Sequence, residues 1–305
     1  MSAQAPVATR LSAFSARDWL LLATAALMWG SSFVWMEVAL EHLAPGFIAF
    51  VRILFGIATL ALFPQARRKV ERGDASKVVA LGFLWMGIPF LLFPIAQQWI
   101  DSSLAGMING GVPIFAAATA ALMMRRTPPP MTLVGIGVGF VGTVAIGLPA
   151  VRDAEATRLG VALVLLATLM YGISLNIAAP LQRKYGALPV LLRVQLVAAG
   201  VTLVPGIVGL AGSDMDLLSL AAVVPLGCFG SALAFVAMTT LVGRVGAARG
   251  SVTIYFVPIV AITMGVVFRN ESVALLSLLG TALVLLGAFL TSRSQTIRGG
   301  GNGQD

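Results

Sequence analysis

Charge is scarce in this chain of 305 residues: 10% are Asp, Glu, Lys or Arg, while 58% are hydrophobic. A soluble domain carries roughly 25% charged residues, so a water-facing surface could not be covered, and lipid is the solvent that fits. The single cysteine, Cys228, excludes a disulfide framework and a cysteine-ligated zinc cluster. The single histidine, His42, argues against a His-based metal centre or catalytic dyad. No cofactor and no metal are expected. The chain lacks G-x-x-x-x-G-K-[ST], which excludes ATP-driven work by this polypeptide alone. It also lacks any acid pair, Ser/His or Cys/His set within an apolar run, so it is read as a non-enzyme.

What the sequence does hold is long apolar runs, with a mean hydropathy of +0.96. A bilayer core of about 30 Å needs about 20 apolar residues at about 1.5 Å rise each. Ten such stretches are present, at about 18–40, 46–64, 77–99, 102–124, 132–149, 158–180, 188–211, 217–241, 247–268 and 273–292. The fold class expected is an all-α integral membrane protein of ten spans. The connections are short and leave no room for an inserted soluble domain. The first run is too long for a signal-peptide core and is read as retained.

Basic residues are distributed unevenly over the connections. Arg10, Arg17, Arg67, Arg68, Lys69, Arg72, Lys77, Arg125, Arg126, Arg183, Lys184, Arg244, Arg249, Arg293 and Arg298 fall on one side, fifteen of the twenty Lys and Arg. The other side holds Arg152, Arg158 and Arg269, together with Glu41, Asp101, Asp153, Glu155, Asp214, Asp216 and Glu271. By the positive-inside rule both termini are cytoplasmic. The net charge of +8 is therefore a topology signal, and no nucleic-acid partner is expected. Residues 1–17 and 293–305 are tails.

The chain repeats itself. A shift of 145 places Leu81-Gly82 on Leu226-Gly227, Val112-Pro113-Ile114 on Val257-Pro258-Ile259, Gly135 on Gly280 and Gly142 on Gly287. A shift of 142 places Leu27-Met28-Trp29-Gly30 and Ser32 on Leu169-Met170-Tyr171-Gly172 and Ser174. The halves are 18–149 and 158–292, joined by an extracytoplasmic linker at 150–157. Five spans each makes the second half enter from the opposite side, an inverted repeat of the kind used by secondary carriers.

The stretch Trp29-Gly30-Ser31-Ser32-Phe33, with Arg52, Pro113, the Gly135 and Gly142 pair, and Pro258 followed by Glu271, resembles the EamA-type carriers of the drug/metabolite transporter superfamily. Within it the chain is similar to aromatic amino acid exporters of the YddG kind. The resemblance covers residues 18–292. It implies a carrier in the bacterial inner membrane, with a central cavity lined by spans 1, 3, 4, 6, 8 and 9. Many relatives carry Lys where this chain has Glu37, and an acid where it has Arg126.

Ionisable groups inside spans are candidates for function. Glu37 and Arg52 lie in the outer halves of adjacent spans, at depths that allow a long Arg side chain to reach Glu37, and are expected to form an ion pair or a coupling site. Arg193 is expected to snorkel. The six cavity spans hold no cation away from their ends, which disfavours phosphorylated substrates. They carry instead Ser32, Trp35, Trp85, Asn109, Tyr171, Ser174, Asn176 and Tyr255, with Met86 as a pliable wall. Rings and neutral polar groups suit an apolar or aromatic amino acid. Each has a plainer reading: hydroxyls returned to the helix backbone, an Asn bonding between helices, or rings in packing. Trp29 and Tyr171 are repeat-equivalent and close to mid-span, which favours lining a pathway. Gly30, Pro89, Pro113, Gly172 and Pro258 are hinge candidates, because glycine loosens the backbone and proline removes a hydrogen bond. Asp101-Ser102-Ser103 reads as a turn and N-cap into span four. The expected activity is export of amino acids and related metabolites by alternating access. The alternative is a carrier of drugs or quaternary cations on the same fold. Oligomeric state is not legible.

Overall fold

The computed structural model describes residues 14–125, 127–151 and 155–299. Arg126, the middle of the linker and the outer parts of both tails lie outside the described residues. Ten apolar helices follow one another: α1 (Ala16–Leu40), α2 (Pro45–Ala61), α3 (Arg72–Ala96), α4 (Ser102–Met123), α5 (Pro130–Ala150), α6 (Thr157–Tyr185), α7 (Ala187–Ala211), α8 (Leu217–Val245), α9 (Thr253–Arg269) and α10 (Leu275–Thr291). Seven of them are long and apolar enough to cross a membrane, while α2, α9 and α10 are shorter. No strand occurs among the described residues. The expected spans overshoot at two of the shorter helices. Pro64 starts a separate 3₁₀ turn after α2, and Ala247–Gly250 forms its own short helix before α9.

Local chemistry sets the helix starts. The Ser15 hydroxyl accepts from Asp18 N while the Asp18 carboxylate accepts from Ser15 N, a capping box at α1. Pro45 opens α2 at a position where a missing N–H costs nothing. The Asp216 carboxylate accepts from Ser219 N at the start of α8. Two helices are broken where small residues weaken the ladder: α1 between Gly30 and Ser32, and α4 between Asn109 and Val112. The α4 break falls at Gly110-Gly111, just before Pro113. Its counterpart Pro258 sits inside the continuous stretch of α9. The sequence gives no warning of the π-helical turns within α3 (Gly82–Gly87) and α8 (Leu226–Leu233). These turns are repeat-equivalent, and such turns concentrate at functional positions.

The packing has the symmetry of the repeat. α1 lies on α8 and α6 on α3, while α2 lies on α7, α4 on α9 and α5 on α10. Exchanging the halves maps this set onto itself. The most extensive contact is between α5 and α10. A Cβ on Gly135 would stand 2.7 Å from the Gly287 carbonyl oxygen, and one on Gly142 would stand 2.6 Å from that of Gly280. The glycines of α5 are thus used within the chain. Left-handed C-caps at Arg125 and Asn270, also 145 apart, close α4 and α9. Outward faces expose Phe140 and Val141 on α5, Val204 and Val208 on α7 and Leu279 on α10. Apolar exposure on this scale suits hydrocarbon and not water.

Candidate functional site

The helices meet around a central cavity of about 160 Å³, lined by Trp29, Ser32, Phe33 and Met36 of α1, Trp85, Met86, Phe90 and Phe93 of α3, and Asn109, Gly110 and Val112 of α4. Tyr171 and Leu175 of α6, Gly230 and Phe235 of α8, and Ile254 and Val257 of α9 complete it, with Arg52 of α2. The rings brace one another edge to face. The Phe235 centroid lies 5.2 Å from that of Trp29 and 5.7 Å from that of Trp85. Tyr171 stacks on Phe93 at 5.8 Å. Trp29 Nε1 donates to the Gly230 carbonyl at 3.2 Å, so the π-helical turn of α8 fixes the indole. Gly230 has no substitute here, because a Cβ would strike the Ser32 hydroxyl.

Of the residues singled out in the sequence, Ser32, Trp85, Met86, Asn109 and Tyr171 reach this cavity. Asn176, Tyr255 and Pro113 line a second cavity of about 250 Å³ between α4, α6, α9 and α10, on the side that bears the termini. Leu175 and Ile254 belong to both. The polar groups of the second cavity are largely engaged. Asn176 Nδ2 donates to the Ala116 and Gly172 carbonyls and to Thr119 Oγ1, and the Tyr255 hydroxyl donates to the Ala288 carbonyl. Two residues lie elsewhere. Ser174 is fully buried and returns its hydroxyl to Met170 O at 2.8 Å, and Trp35 packs against the apolar core. Ser174 is four residues, about one turn, from its own acceptor, so its small side chain is spent within the helix. The glycines work by close approach: a Cβ on Gly30 would meet Val260 at 2.5 Å, and one on Gly172 would meet Phe115 at 2.7 Å. Pro89 is buried in α3, and Pro258 packs against Gly110.

Two expectations are overturned. Glu37 does not pair with Arg52: its Oε1 accepts from Arg269 Nε at 2.8 Å, and Arg269 also pairs with Glu41 at 2.7 Å. Arg52 points away from Glu37 into the cavity and is 5% exposed. Its guanidinium carbon lies 3.7 Å from the Phe90 ring centroid, and its Nε donates to Ser231 Oγ at 3.2 Å. The cavity therefore holds a cation after all, supplied by a helix expected to be peripheral. Arg193 donates to the Ala66 and Pro189 carbonyls at a helix edge.

The end of the bundle away from the start of α1 and the end of α10 is tied together by polar contacts. Arg269 joins α9 to α1 through Glu37 and Glu41. Glu271 caps α4: its two oxygens accept from Ser102 N at 3.0 Å and Ser103 N at 2.9 Å, and the Ser102 hydroxyl adds a third bond. Asp101 holds the N-cap position, but its own side chain makes no capping bond. Glu271, distant in sequence, does that work. Burial pushes the Glu271 carboxyl up, and the Ser102 and Ser103 donors outweigh it, leaving it below the usual carboxylate range. Burial pushes neighbouring Asp101 up. Among the described residues, no group of three His, Cys, Asp or Glu side chains is placed to hold a metal ion.

A bundle of apolar helices around a buried aromatic cavity is the architecture of a membrane transport protein. The model of the EamA-like transporter family matches residues 18–148 and 158–293, and the chain belongs to that family. It is similar to an uncharacterized transporter of Archaeoglobus fulgidus, at 25% identity over 92% of this chain and 100% of that one. It is also similar to a probable terminal-alkyne amino-acid exporter of Streptantibioticus cattleyicolor, at 24% identity over 90% and 93%. A probable amino-acid metabolite efflux pump of Salmonella typhimurium is 22% identical over 90% and 95%. A solved crystal structure superposes with a TM-score of 0.62 at 15% identity, covering 92% of this chain and 99% of that one, which shows the shared fold.

Proposed function

We propose that this chain is a secondary carrier that exports amino acids, aromatic and other apolar or neutral ones, by alternating access. In this reading all ten helices span the bacterial inner membrane, residues 18–149 and 158–292 form inverted halves, and both termini are cytoplasmic. The carrying observation is the aromatic cavity at the junction of the halves, walled by repeat-equivalent residues. Trp29 and Tyr171, Phe90 and Phe235, and Val112 and Val257 are three repeat-equivalent pairs that line one space. A pocket built from both halves changes its access when they rock against each other. In this reading the polar-bridged end is the sealed, outward one, and the second cavity belongs to the cytoplasmic side. Relatives named as amino-acid exporters support the substrate class.

Purified protein in liposomes tests this with labelled phenylalanine, threonine and a quaternary cation, with and without a pH gradient. Saturable phenylalanine movement is expected. Movement of the quaternary cation alone would replace the reading by a drug carrier, for which the rings form a suitable cage. Arg52 disfavours that outcome, since its charge already lies on the Phe90 face.

A further inference from the structure

We infer that Arg52 is the anion-recognition residue of the central cavity, and that the recognised feature of the substrate is a carboxylate on an apolar or aromatic body. This deepens the carrier reading by naming the group that the cavity selects.

Four observations converge on Arg52. Its side chain is 5% exposed and lines the cavity. A guanidinium stays charged at all physiological pH values. Other buried or half-buried charges among the described residues are compensated: Asp18 has Arg244, Asp74 has Lys77 and Lys184, Glu37 has Arg269, and Glu271 has the α4 N-terminus. Arg52 forms no ion pair among the described residues. Finally, it is held for a purpose. Nε is fixed by Ser231 and the guanidinium plane is supported by Phe90, which leaves the terminal nitrogens without a hydrogen-bond partner among the described residues. One of them lies beside Gly230, where the missing side chain keeps the approach open.

Leaving a buried charge uncompensated is strongly destabilising. A fold that tolerates one beside an apolar cavity is matched to a ligand that carries the opposite charge. The fork of terminal N–H groups fits a carboxylate bidentately. One guanidinium, with no second cation among the lining residues, matches a monoanion and not a phosphate dianion. No carboxylate lines the cavity, so a substrate ammonium would meet only neutral acceptors such as the Asn109 amide. The acid group therefore dominates selection, and an arylalkyl acid without an amine should be accepted alongside the amino acid.

The test uses the purified full chain in detergent and four probes: phenylalanine, 3-phenylpropionate, phenylalaninamide and phenethylamine. Binding is read by the fluorescence of the cavity tryptophans and by ligand-induced thermal stabilisation. The native protein is expected to bind both carboxylates and to reject the amide and the amine by about tenfold or more, as suits loss of a charge-assisted pair. Arg52→Gln should abolish that preference, and Arg52→Lys should recover part of it, having the charge without the fork. The ligand-free melting temperature of Arg52→Met should equal or exceed that of the native chain, whereas a structural arginine would lower it. Equal binding of the amine and the acid by the native protein, no binding of any probe, or retained carboxylate preference in a folded Arg52→Gln would overturn the inference. Arg52-dependent binding of 3-phenylpropionate without phenylalanine transport would uphold it while rejecting amino acid export. Phenylalanine transport indifferent to Arg52→Gln would do the reverse.

Discussion

Counting along consecutive helices puts Arg52 and Glu37 within side-chain reach of each other, and depth is all that such counting supplies. What separates them is where each side chain ends: Arg52 lies against Phe90 and Ser231 near the level of Ser32, while Glu37 meets Arg269 at the end of α9. Arg269 looks in the sequence like a stray loop cation on the acidic side. In the structure it is the bridge between Glu37 and Glu41. Both partners are partly exposed, so the pair contributes no more than about 1 kcal/mol to stability, and its value lies in closing one end. Glu37→Gln is accordingly expected to fold normally and to loosen that end. In a Cys228→Ser background, a cysteine at the buried position Met36 should then react faster with a membrane-impermeant thiol reagent added from that side. An unchanged labelling rate together with unchanged transport would reduce Glu37 to packing. The cavity rings were half visible by the same arithmetic that reveals the repeat. Trp29 with Tyr171 follows from the 142 shift, and Phe90 with Phe235 follows from the 145 shift, although neither phenylalanine has a polar atom to draw attention.

Elements were more legible than side chains, because hydropathy and proline set them locally. Every one of the ten apolar runs holds a helix, and the errors fall at ends, where Pro64 starts a new turn after α2 and a short helix, Ala247–Gly250, precedes α9. The π-helical turns of α3 and α8 left no trace in hydropathy, since they change hydrogen bonding and not polarity. The α8 turn has a specific place in the site: it carries the Gly230 carbonyl that accepts from Trp29 and the Ser231 hydroxyl that accepts from Arg52. The start of α4 was located correctly and its cap misassigned, because the capping carboxylate comes from Glu271. Glu271→Ala should cost about 1–3 kcal/mol, the range for losing a cap with charge-assisted bonds. The folded carboxyl lies below its ordinary value, which for an unfolded Glu is about 4.3. The cap therefore contributes fully above that pH and fades as the pH falls through the lower folded value. Melting temperatures of the two proteins should differ at neutral pH and converge in acid. A difference that persists in acid would assign the loss to packing.

For the whole molecule, exchanging the halves maps the helix pairs onto themselves, as a duplicated chain should. Orientation rests on charge alone and is tested directly. A fluorescent protein that matures only in the cytoplasm, fused after Asp305, should light up, and an enzyme reporter that needs the periplasm should stay silent. The reverse pair of signals would turn the proposed carrier over and make the sealed end cytoplasmic. One packing detail constrains any motion between its two ends. α5 and α10 approach backbone to backbone at Gly135, Gly142, Gly280 and Gly287, which leaves little side-chain volume between them to shear or repack. Such a seam acts as an axle. Helices beside it sweep short arcs and those opposite sweep long ones, so the same small rotation that barely disturbs α4 would carry the far wall of α2 and α7, and Arg52 with it, through the widest excursion in the molecule.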